Sequence, residues 1–375
     1  MTRQGPTNGD GKSGAKEPKA LRARLAALDR QIVALAAERT EVAAALLRHG
    51  SRDDASAIAS PDAAALERAL KAAPAGLPER AVTAILRELE SAALAAAAPQ
   101  RVAYLGPEFS YSHIASIARF GESAELLPVG TIAAVFEEVE QGQAEFGVVP
   151  LENSTDGRIA DTLDNFARRE VRICGEVQLR IHHNLLGTGA RGDVEEVQSK
   201  PQAISQCRNW LARHMPQARI VEVASTTAAA QAAKEKPGVA AIASRQAGVH
   251  YSLSVLAANI EDNPSNVTRF AVLGNVPEKR TGDDKTALMF ELAHKSGALA
   301  DAIAVLKRHR INLTWLESFP MPGRDEASPE GRYLFFVEFV GHRDEVRVRR
   351  ALASLEKKAK RLVVLGSYTR REAVE

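Results

Sequence analysis

The chain has little cysteine, few aromatic side chains and no strong excess of either charge. Its 375 residues include 2 Cys, and 5% are aromatic. Cys174 and Cys207 cannot form a disulfide framework and lack CxxC spacing, so we predict two reduced, packed thiols. Lys and Arg total 49 against 47 Asp and Glu, for a net charge of +2. Because nucleic-acid-binding proteins concentrate positive charge, a small-molecule ligand is the better expectation.

Signals for membranes, nucleotides and metals are also missing. No run of about 18 apolar residues is present, so a membrane span is not expected. Residues 1–19 are polar and rich in Gly and Lys, which predicts a disordered tail rather than a signal peptide, and a cytoplasmic protein. P-loop, GxGxxG and HExxH motifs are absent, and the adjacent His182 and His183 would face opposite sides of a strand. We therefore expect no cofactor and no metal, and interpret both histidines as surface or core residues.

Residues 20–98 predict an all-α domain. Ala, Leu, Arg and Glu dominate this region, and apolar residues recur at helical spacing from Leu25 to Leu46. We expect Gly50 to end a first helix, Pro61 to open a second and Pro78 to open a third.

Two further domains are predicted after Pro99. From residue 101 to 276, β-rich runs alternate with amphipathic helices, which is typical of an α/β fold. The alternating segment from Val171 to Ile181 is interpreted as a passage between two lobes. Residues 277–285 are a polar linker. From 286 to 368, the order strand, helix, strand, strand, helix, strand predicts an α+β, ferredoxin-like domain.

Hydroxyl and amide side chains follow the predicted strands of the α/β region, where open sheets bind ligands. They include Ser110, Asn153, Ser199, Gln206 and Thr226. A single Ser or Thr at such a place is an ordinary helix N-cap. Several helix N-termini that converge on one cleft, however, suit a small anionic ligand.

Thr268, Arg269 and Phe270 stand where the last strand of this region begins. A Thr hydroxyl can pass a proton to a leaving oxygen, and a guanidinium can fix a carboxylate nearby. An isolated match would be weak, because Thr and Phe also favour strands for structural reasons. The polar side chains that follow the other predicted strands make this stretch more significant than an isolated match.

Together these residues resemble the prephenate dehydratase family over nearly all of residues 101–370. The motifs that carry the resemblance are Tyr104-Leu-Gly-Pro-Glu-Phe-Ser-Tyr-Ser-His113, Val149-Pro-Leu-Glu-Asn-Ser154, Ser199 with Pro201, Gln202 and Gln206, Ser225-Thr226, and Thr268-Arg269-Phe270. The resemblance implies a two-lobed fold similar to periplasmic binding proteins. It also implies conversion of prephenate to phenylpyruvate with loss of water and carbon dioxide.

The resemblance assigns roles to individual residues. Thr268 would be the general acid that protonates the departing ring hydroxyl, while Arg269 would hold a substrate carboxylate or brace the loop. The residues implied to contact substrate are Glu152, Asn153, Ser199, Gln206, Thr226, Phe270 and Ser110. Phe109 replaces a common Gly and Lys200 a common His, which leaves open the choice between prephenate and its aminated analogue arogenate.

The C-terminal region resembles an ACT regulatory domain, which implies phenylalanine as effector and pairing between chains. The residues implied to form the effector site are Gly297, Ala298, Leu299, Asn312, Leu313, Glu317 and Ser318. Phe319 replaces the Arg of the family's Glu-Ser-Arg-Pro motif, and losing that cation predicts weakened or altered feedback. A domain that only dimerises is the alternative, because fold does not fix function.

Residues 21–98 resemble the chorismate mutase domain of bifunctional enzymes, with Arg22 and Arg39 as matching positions. The mutase family has a Lys eleven residues after the second Arg, where this chain has Gly50. Arg48 lies on about the opposite face of the helix, and Pro61 and Asp62 replace an expected Arg and Glu. We therefore expect a degenerate mutase site within a homodimer or homotetramer. A bifunctional enzyme and a non-catalytic metabolite-binding sensor are the alternatives.

Overall fold

The computed structural model describes residues 16–49, 71, 77–276, 279–320 and 333–374, with side chains from residue 18. The helices in chain order are α1 (Lys16–His49), α2 (Glu79–Ala97), α3 (Tyr111–Phe120), α4 (Ile132–Glu140), α5 (Ala160–Arg168), α6 (Pro201–Gln206), α7 (Arg208–His214), α8 (Thr226–Glu235), α9 (Arg245–His250), α10 (Ala298–Arg308) and α11 (Val346–Glu356). The strands are β1 (Arg101–Leu105), β2 (Glu125–Val129), β3 (Phe146–Asn153), β4 (Gly157–Arg158), β5 (Ile173–Arg180), β6 (Asn184–Gly187), β7 (Glu196–Ser199), β8 (Arg219–Glu222), β9 (Val239–Ala243), β10 (Ser254–Ala257), β11 (Val267–Gly274), β12 (Asp284–Leu292), β13 (Leu313–Pro320), β14 (Tyr333–Val340), β15 (Ala359–Thr369) and β16 (Ala373–Val374).

In the described part of the N-terminal region, helices α1 and α2 pack against each other. Pro18 is tolerated in α1 because it lies in the first turn, where its missing N–H has no helical partner. Pro78 caps α2, as its position predicted. Helix α1 begins at Lys16, so residues 16–19 of the predicted tail are helical. The predicted second helix, with Pro61 and Asp62, and the position of Gly50 lie outside the described residues.

The first lobe of the α/β region is a seven-stranded mixed sheet in the order β16-β5-β11-β3-β1-β2, with β4 paired to β3. Strand β11 runs antiparallel between β3 and β5, which places Thr268 beside Asn153 and Leu179. Successive strand residues point to opposite faces. Phe270 accordingly packs in the cluster that includes Val148 and Val177, whereas Ala271 packs in the cluster on the other side of the sheet.

The second lobe is a five-stranded sheet in the order β10-β6-β9-β7-β8. The chain enters it between β5 and β6 and returns between β10 and β11, so two crossings join the lobes. Its core contains many Ala residues, which lets α8 approach β9 closely. Strands β6 and β10 escaped the sequence prediction because each has four residues and no clear alternation.

The C-terminal region forms a four-stranded antiparallel sheet in the order β13-β14-β12-β15, with α10 and α11. Along the chain these elements follow in the order β12, α10, β13, β14, α11 and β15, which is the βαββαβ arrangement predicted from the sequence. One face of the sheet packs against α10 and α11. The other joins the first lobe in one core that contains Phe319, Phe336, Phe166 and Leu163.

A loop of the first lobe is tied to the second lobe. Phe109 has φ 63°, a left-handed conformation that costs about 1–2 kcal/mol for a residue with a Cβ. Its ring stacks on His250 with centroids 4.0 Å apart. Thr227 Oγ1 donates to the Glu108 carbonyl at 3.0 Å, and Ser244 Oγ donates to the Phe109 carbonyl at 3.1 Å. These contacts offset the backbone strain and hold the lobes together.

None of the helices in the described ranges combines the length and apolar character needed to cross a bilayer.

Candidate active site

A cleft of about 750 Å³ lies between the two lobes. The first lobe contributes Ser110, Asn153, Thr268 and Phe270 to its walls, and the second contributes Gln206 and Thr226. All six are among the residues predicted to act on or contact substrate. The cleft is mixed in character, because apolar side chains such as Ile181 lie among these polar groups.

Thr268 is held by Asn153. Asn153 Nδ2 donates to Thr268 Oγ1 at 2.8 Å, and both residues are buried. The orientation of the Asn153 amide is fixed, because its Oδ1 accepts from the backbone N–H groups of Thr155 and Asp156 at 2.9 and 3.0 Å. Since Thr268 Oγ1 accepts this bond, its own proton is directed toward another acceptor.

The polar groups continue from Asn153 into the second lobe. Asn153 Nδ2 also donates to Asn266 Oδ1 at 2.9 Å, and Asn266 Nδ2 donates to Gln206 Oε1 at 3.0 Å. Gln206 Oε1 also lies 2.8 Å from His183 Nε2, and His183 Nδ1 lies 3.0 Å from Tyr111 Oη. The result is a continuous chain of hydrogen bonds across the cleft, which fixes the position of each member.

His183 is neutral in this chain of hydrogen bonds. Burial lowers the pKa of its imidazole, outweighing the Gln206 hydrogen bond and Glu261, which raise it. Gln206 Oε1 can only accept, so His183 carries its proton on Nε2, while the Tyr111 hydroxyl near Nδ1 donates to the His182 carbonyl at 2.8 Å. His183 is buried, which agrees with the core alternative of the sequence interpretation, and it also lines the cleft.

Two helix N-termini open into the cleft from opposite lobes. Ser110 caps α3 by accepting from His113 N, and Ser225 caps α8 by accepting from Ala228 N. Both caps line the cavity, as does Thr226 at the start of α8. The free N–H groups and positive dipole ends of these helices favour an anion between the lobes.

Three of the residues predicted to contact substrate lie elsewhere. Glu152 and Arg269 are on the opposite face of β3 and β11 from Thr268, where Arg269 Nη1 donates to Glu152 Oε2 at 2.8 Å. Ser199 is fully buried at the end of β7 and donates to the Ile242 carbonyl at 2.7 Å. Their hydrogen bonds are to protein groups outside the cavity, so we assign them structural roles that support the walls.

Arg269 connects the first lobe to the C-terminal sheet. Its Nη2 lies 2.6 Å from Glu338 of β14 and 3.4 Å from Glu176 of β5, and both carboxylates are almost fully buried. Lys285 of β12 completes the cluster at 2.6 Å from Glu176. Burial lowers the pKa of Arg269, but Glu338, Tyr368 and Glu176 more than reverse this, so the guanidinium stays charged.

The predicted effector residues fall into two groups. Ala298 and Leu299 line a separate cavity of about 490 Å³ with Tyr333, Phe335 and Lys360, and Gly297 stands beside them with φ 79°. Asn312 precedes β13 and Leu313 begins it, while Glu317 and Ser318 near its end contact Arg158 of the first lobe at 3.1 and 3.0 Å. Phe319, which stands where the family has an Arg, is buried in the core shared by the first lobe and the C-terminal sheet.

The two mutase-like positions are on one helix. Arg22 is exposed on α1, whereas Arg39 lies 3.8 Å from Glu90 of α2. Arg39 is therefore engaged between the two helices.

Comparison with known proteins identifies relatives that span the same regions. A family model described as prephenate dehydratase matches residues 102–278. The bifunctional chorismate mutase/prephenate dehydratase of Pseudomonas aeruginosa is 37% identical over 358 residues, which make up 93% of this chain and 97% of that protein.

Two of the similar solved structures carry different descriptions. A prephenate dehydratase from Arthrobacter aurescens in complex with L-Phe has a TM-score of 0.66 and 31% identity, covering 72% of this chain and 90% of that one. A protein described as a novel type of quorum quenching acylase has a TM-score of 0.64 and 27% identity, covering 72% of this chain and 98% of that one.

Proposed function

The chain belongs to the prephenate dehydratase family, and on that premise we propose that prephenate loses water and carbon dioxide in the cleft between its two lobes. The observation that carries the assignment is the Asn153–Thr268 hydrogen bond at 2.8 Å. The amide donates to the hydroxyl oxygen, so the hydroxyl is arranged to give its proton away. The same bond stabilises the negative charge that develops on Oγ1 as the proton leaves.

The reaction needs one proton and good orientation. The bond from the ring to its hydroxyl oxygen breaks as that oxygen takes the Thr268 proton and leaves as water. The bond from the ring to the ring carboxylate breaks as carbon dioxide departs, and its electron pair enters the ring. Thr268 then recovers a proton from solvent, so each turnover takes up one proton. Because the ring becomes aromatic, positioning and a single general acid are sufficient.

The electrostatics of the cleft suit a substrate with two carboxylates. Helices α3 and α8 present their N-termini to it from opposite sides. Such termini favour negative charge without adding a titratable group. A dianion therefore gains contacts with both lobes at once.

One structural relative is described as an acylase, but covalent acyl hydrolysis through Thr268 does not fit the same geometry. A covalent mechanism requires a hydroxyl paired with a base that removes its proton. Thr268 instead receives a hydrogen bond from the Asn153 amide, which has no proton-accepting nitrogen. The cleft is thus arranged for proton donation.

The test of the dehydratase assignment supplies the purified protein with prephenate and, separately, with chorismate. We expect phenylpyruvate from prephenate and none from chorismate, because Arg39 is engaged by Glu90 and other mutase positions have changed. Phenylpyruvate absorbance measures both reactions. Comparable rates from the two substrates would show an active mutase, and no product from prephenate would refute the dehydratase assignment.

We propose that the N-terminal helices pair with a second copy of the chain. An apolar stripe runs along one side of α1 and is between 45% and 65% exposed at Leu21, Leu25, Leu28, Ile32 and Leu35. The spacing of four, three, four and three residues keeps the stripe on one face. A matching stripe on a second α1 would remove both from water, giving at least a homodimer.

Phenylalanine is our proposed effector, bound beside α10. We expect L-phenylalanine to lower kcat/KM for prephenate in the unmodified protein. Gly297→Ala should abolish that response, because a Cβ strains the φ 79° turn that leads into α10. The measurement is the initial rate against L-phenylalanine concentration.

The matched control for this substitution is Gly282→Ala, also at positive φ but in the linker before β12. It should keep the phenylalanine response. Retained inhibition in Gly297→Ala, or equal loss in both variants, would contradict a site at α10.

A further inference from the structure

Lys200 supplies a positive charge to the cleft. It caps α6 and lines the cavity, and within the described part of the chain it is the only lysine or arginine that does so. Burial lowers the pKa of its ammonium, and the Asp156 carboxylate opposes that effect. Asp156 Oδ2 is itself engaged by Gln206 Nε2 at 2.9 Å. A partly buried cation beside an anion-binding cleft is stabilised when a further carboxylate reaches it.

The two carboxylates of prephenate have different fates. The ring carboxylate loses its charge as it leaves as carbon dioxide, so a cation bound to it would stabilise the ground state and raise the barrier. The pyruvyl carboxylate keeps its charge from substrate to product. A cation bound there stabilises ground state and transition state alike, which improves binding without slowing the reaction.

We infer that the Lys200 ammonium binds the pyruvyl carboxylate of prephenate and anchors the end of the substrate opposite the ring hydroxyl. The inference rests on the proposed assignment of this cleft to prephenate. Lys200 precedes and Gln206 ends the six-residue helix α6, which is about 9 Å long. Gln206 is linked through Asn266 and Asn153 to Thr268. Helix α6 therefore carries Lys200 into the same cavity as the hydrogen-bonded residues around Thr268.

The experiment compares substrate and product binding in Lys200→Met. Phenylpyruvate is the diagnostic probe, because it has the pyruvyl carboxylate but has lost the ring carboxylate. We expect KM for prephenate to rise about 10- to 100-fold, the scale of one charge-assisted hydrogen bond. The Kd for phenylpyruvate, measured by calorimetry, should rise by a similar factor, while kcat changes by less than about threefold.

Matched variants separate this role from a general effect of charge or folding. Lys234→Met removes one positive charge from an exposed position of α8 in the same lobe and should alter neither KM nor Kd. Lys200→Arg keeps the charge and should restore most of the affinity. If Lys200→Met lowers the melting temperature, Lys200→Gln also removes the charge and can be compared with the unmodified protein for KM and Kd instead.

Two results would overturn the inference. An unchanged KM in folded Lys200→Met would show that Lys200 does not bind substrate. A raised KM with an unchanged phenylpyruvate Kd would place Lys200 on the ring carboxylate instead. Either result leaves the site assignment standing if Thr268→Val still loses turnover, whereas normal turnover in Thr268→Val would refute the site itself.

Discussion

Thr268→Val is expected to lower kcat for prephenate by about 10²-fold or more, the scale of losing a general acid. Valine matches the shape of threonine but has no proton to give to the departing hydroxyl. The substitution also leaves Asn153 Nδ2 without one of its two acceptors, a loss of about 1–3 kcal/mol in stability. Steady-state kinetics measure the first effect, and thermal melting followed by circular dichroism measures the second.

Two variants isolate the chemical role of Thr268. Thr268→Ser keeps the hydroxyl and should retain most of the turnover. Thr162→Val removes another buried hydroxyl of the first lobe, one that donates to the Pro150 carbonyl at 2.6 Å. It should lower stability comparably with little effect on kcat. Equal losses of kcat in Thr162→Val and Thr268→Val would attribute both to disturbed packing.

Arg269→Leu is expected to lower the free energy of unfolding by about 3–5 kcal/mol, because it strips a buried ionic cluster of a cation. Glu176 and Glu338 would then depend on Lys285, which lies 2.6 Å from one and 3.9 Å from the other. Trp315 lies 5.3 Å from the Arg269 guanidinium, so its fluorescence reports on this region. Urea denaturation in a Trp210→Phe background provides the measurement.

Adding Glu338→Gln to Arg269→Leu should restore part of the lost stability, because it removes a carboxylate that has lost its ion pair with Arg269. Arg169→Leu is the surface comparison: Arg169 pairs with Glu137 and Glu140 at a more exposed position, and its loss should cost less than about 1 kcal/mol. Similar losses in the free energy of unfolding for Arg169→Leu and Arg269→Leu would show that the buried cluster stabilises the fold no more than a surface ion pair does.

The alternation of strand residues explains how far the site could be predicted from sequence. Thr268 and Asn153 lie on the cleft face of adjacent strands, as their motifs suggested. Arg269 and Glu152 belong to the same motifs. Each is the sequence neighbour of a cleft residue, so its side chain points to the opposite face of the pleated sheet. Alternation between residues 152 and 153 and between 268 and 269 is enough to assign the two pairs to opposite faces, although the register shifts directly after them.

Other contacts, in the cleft and at the C-terminal sheet, have no local signal in the sequence. His183 enters the cleft because the chain crosses between lobes at that point, and its partner Gln206 is 23 residues away. Arg269 meets Glu338 across 69 residues and a domain boundary. The predicted βαββαβ order agreed closely with the structure because it depends on local periodicity, whereas these contacts depend on how separate sheets pack.

The loop at Phe109 resists separation of the two lobes. Widening the cleft at this loop must separate the Phe109 ring from His250 and break the bonds from Thr227 and Ser244 to the loop carbonyls. The stacked ring adds a contact that a glycine at this position would not make, so Phe109 makes separation of the lobes at this loop more costly.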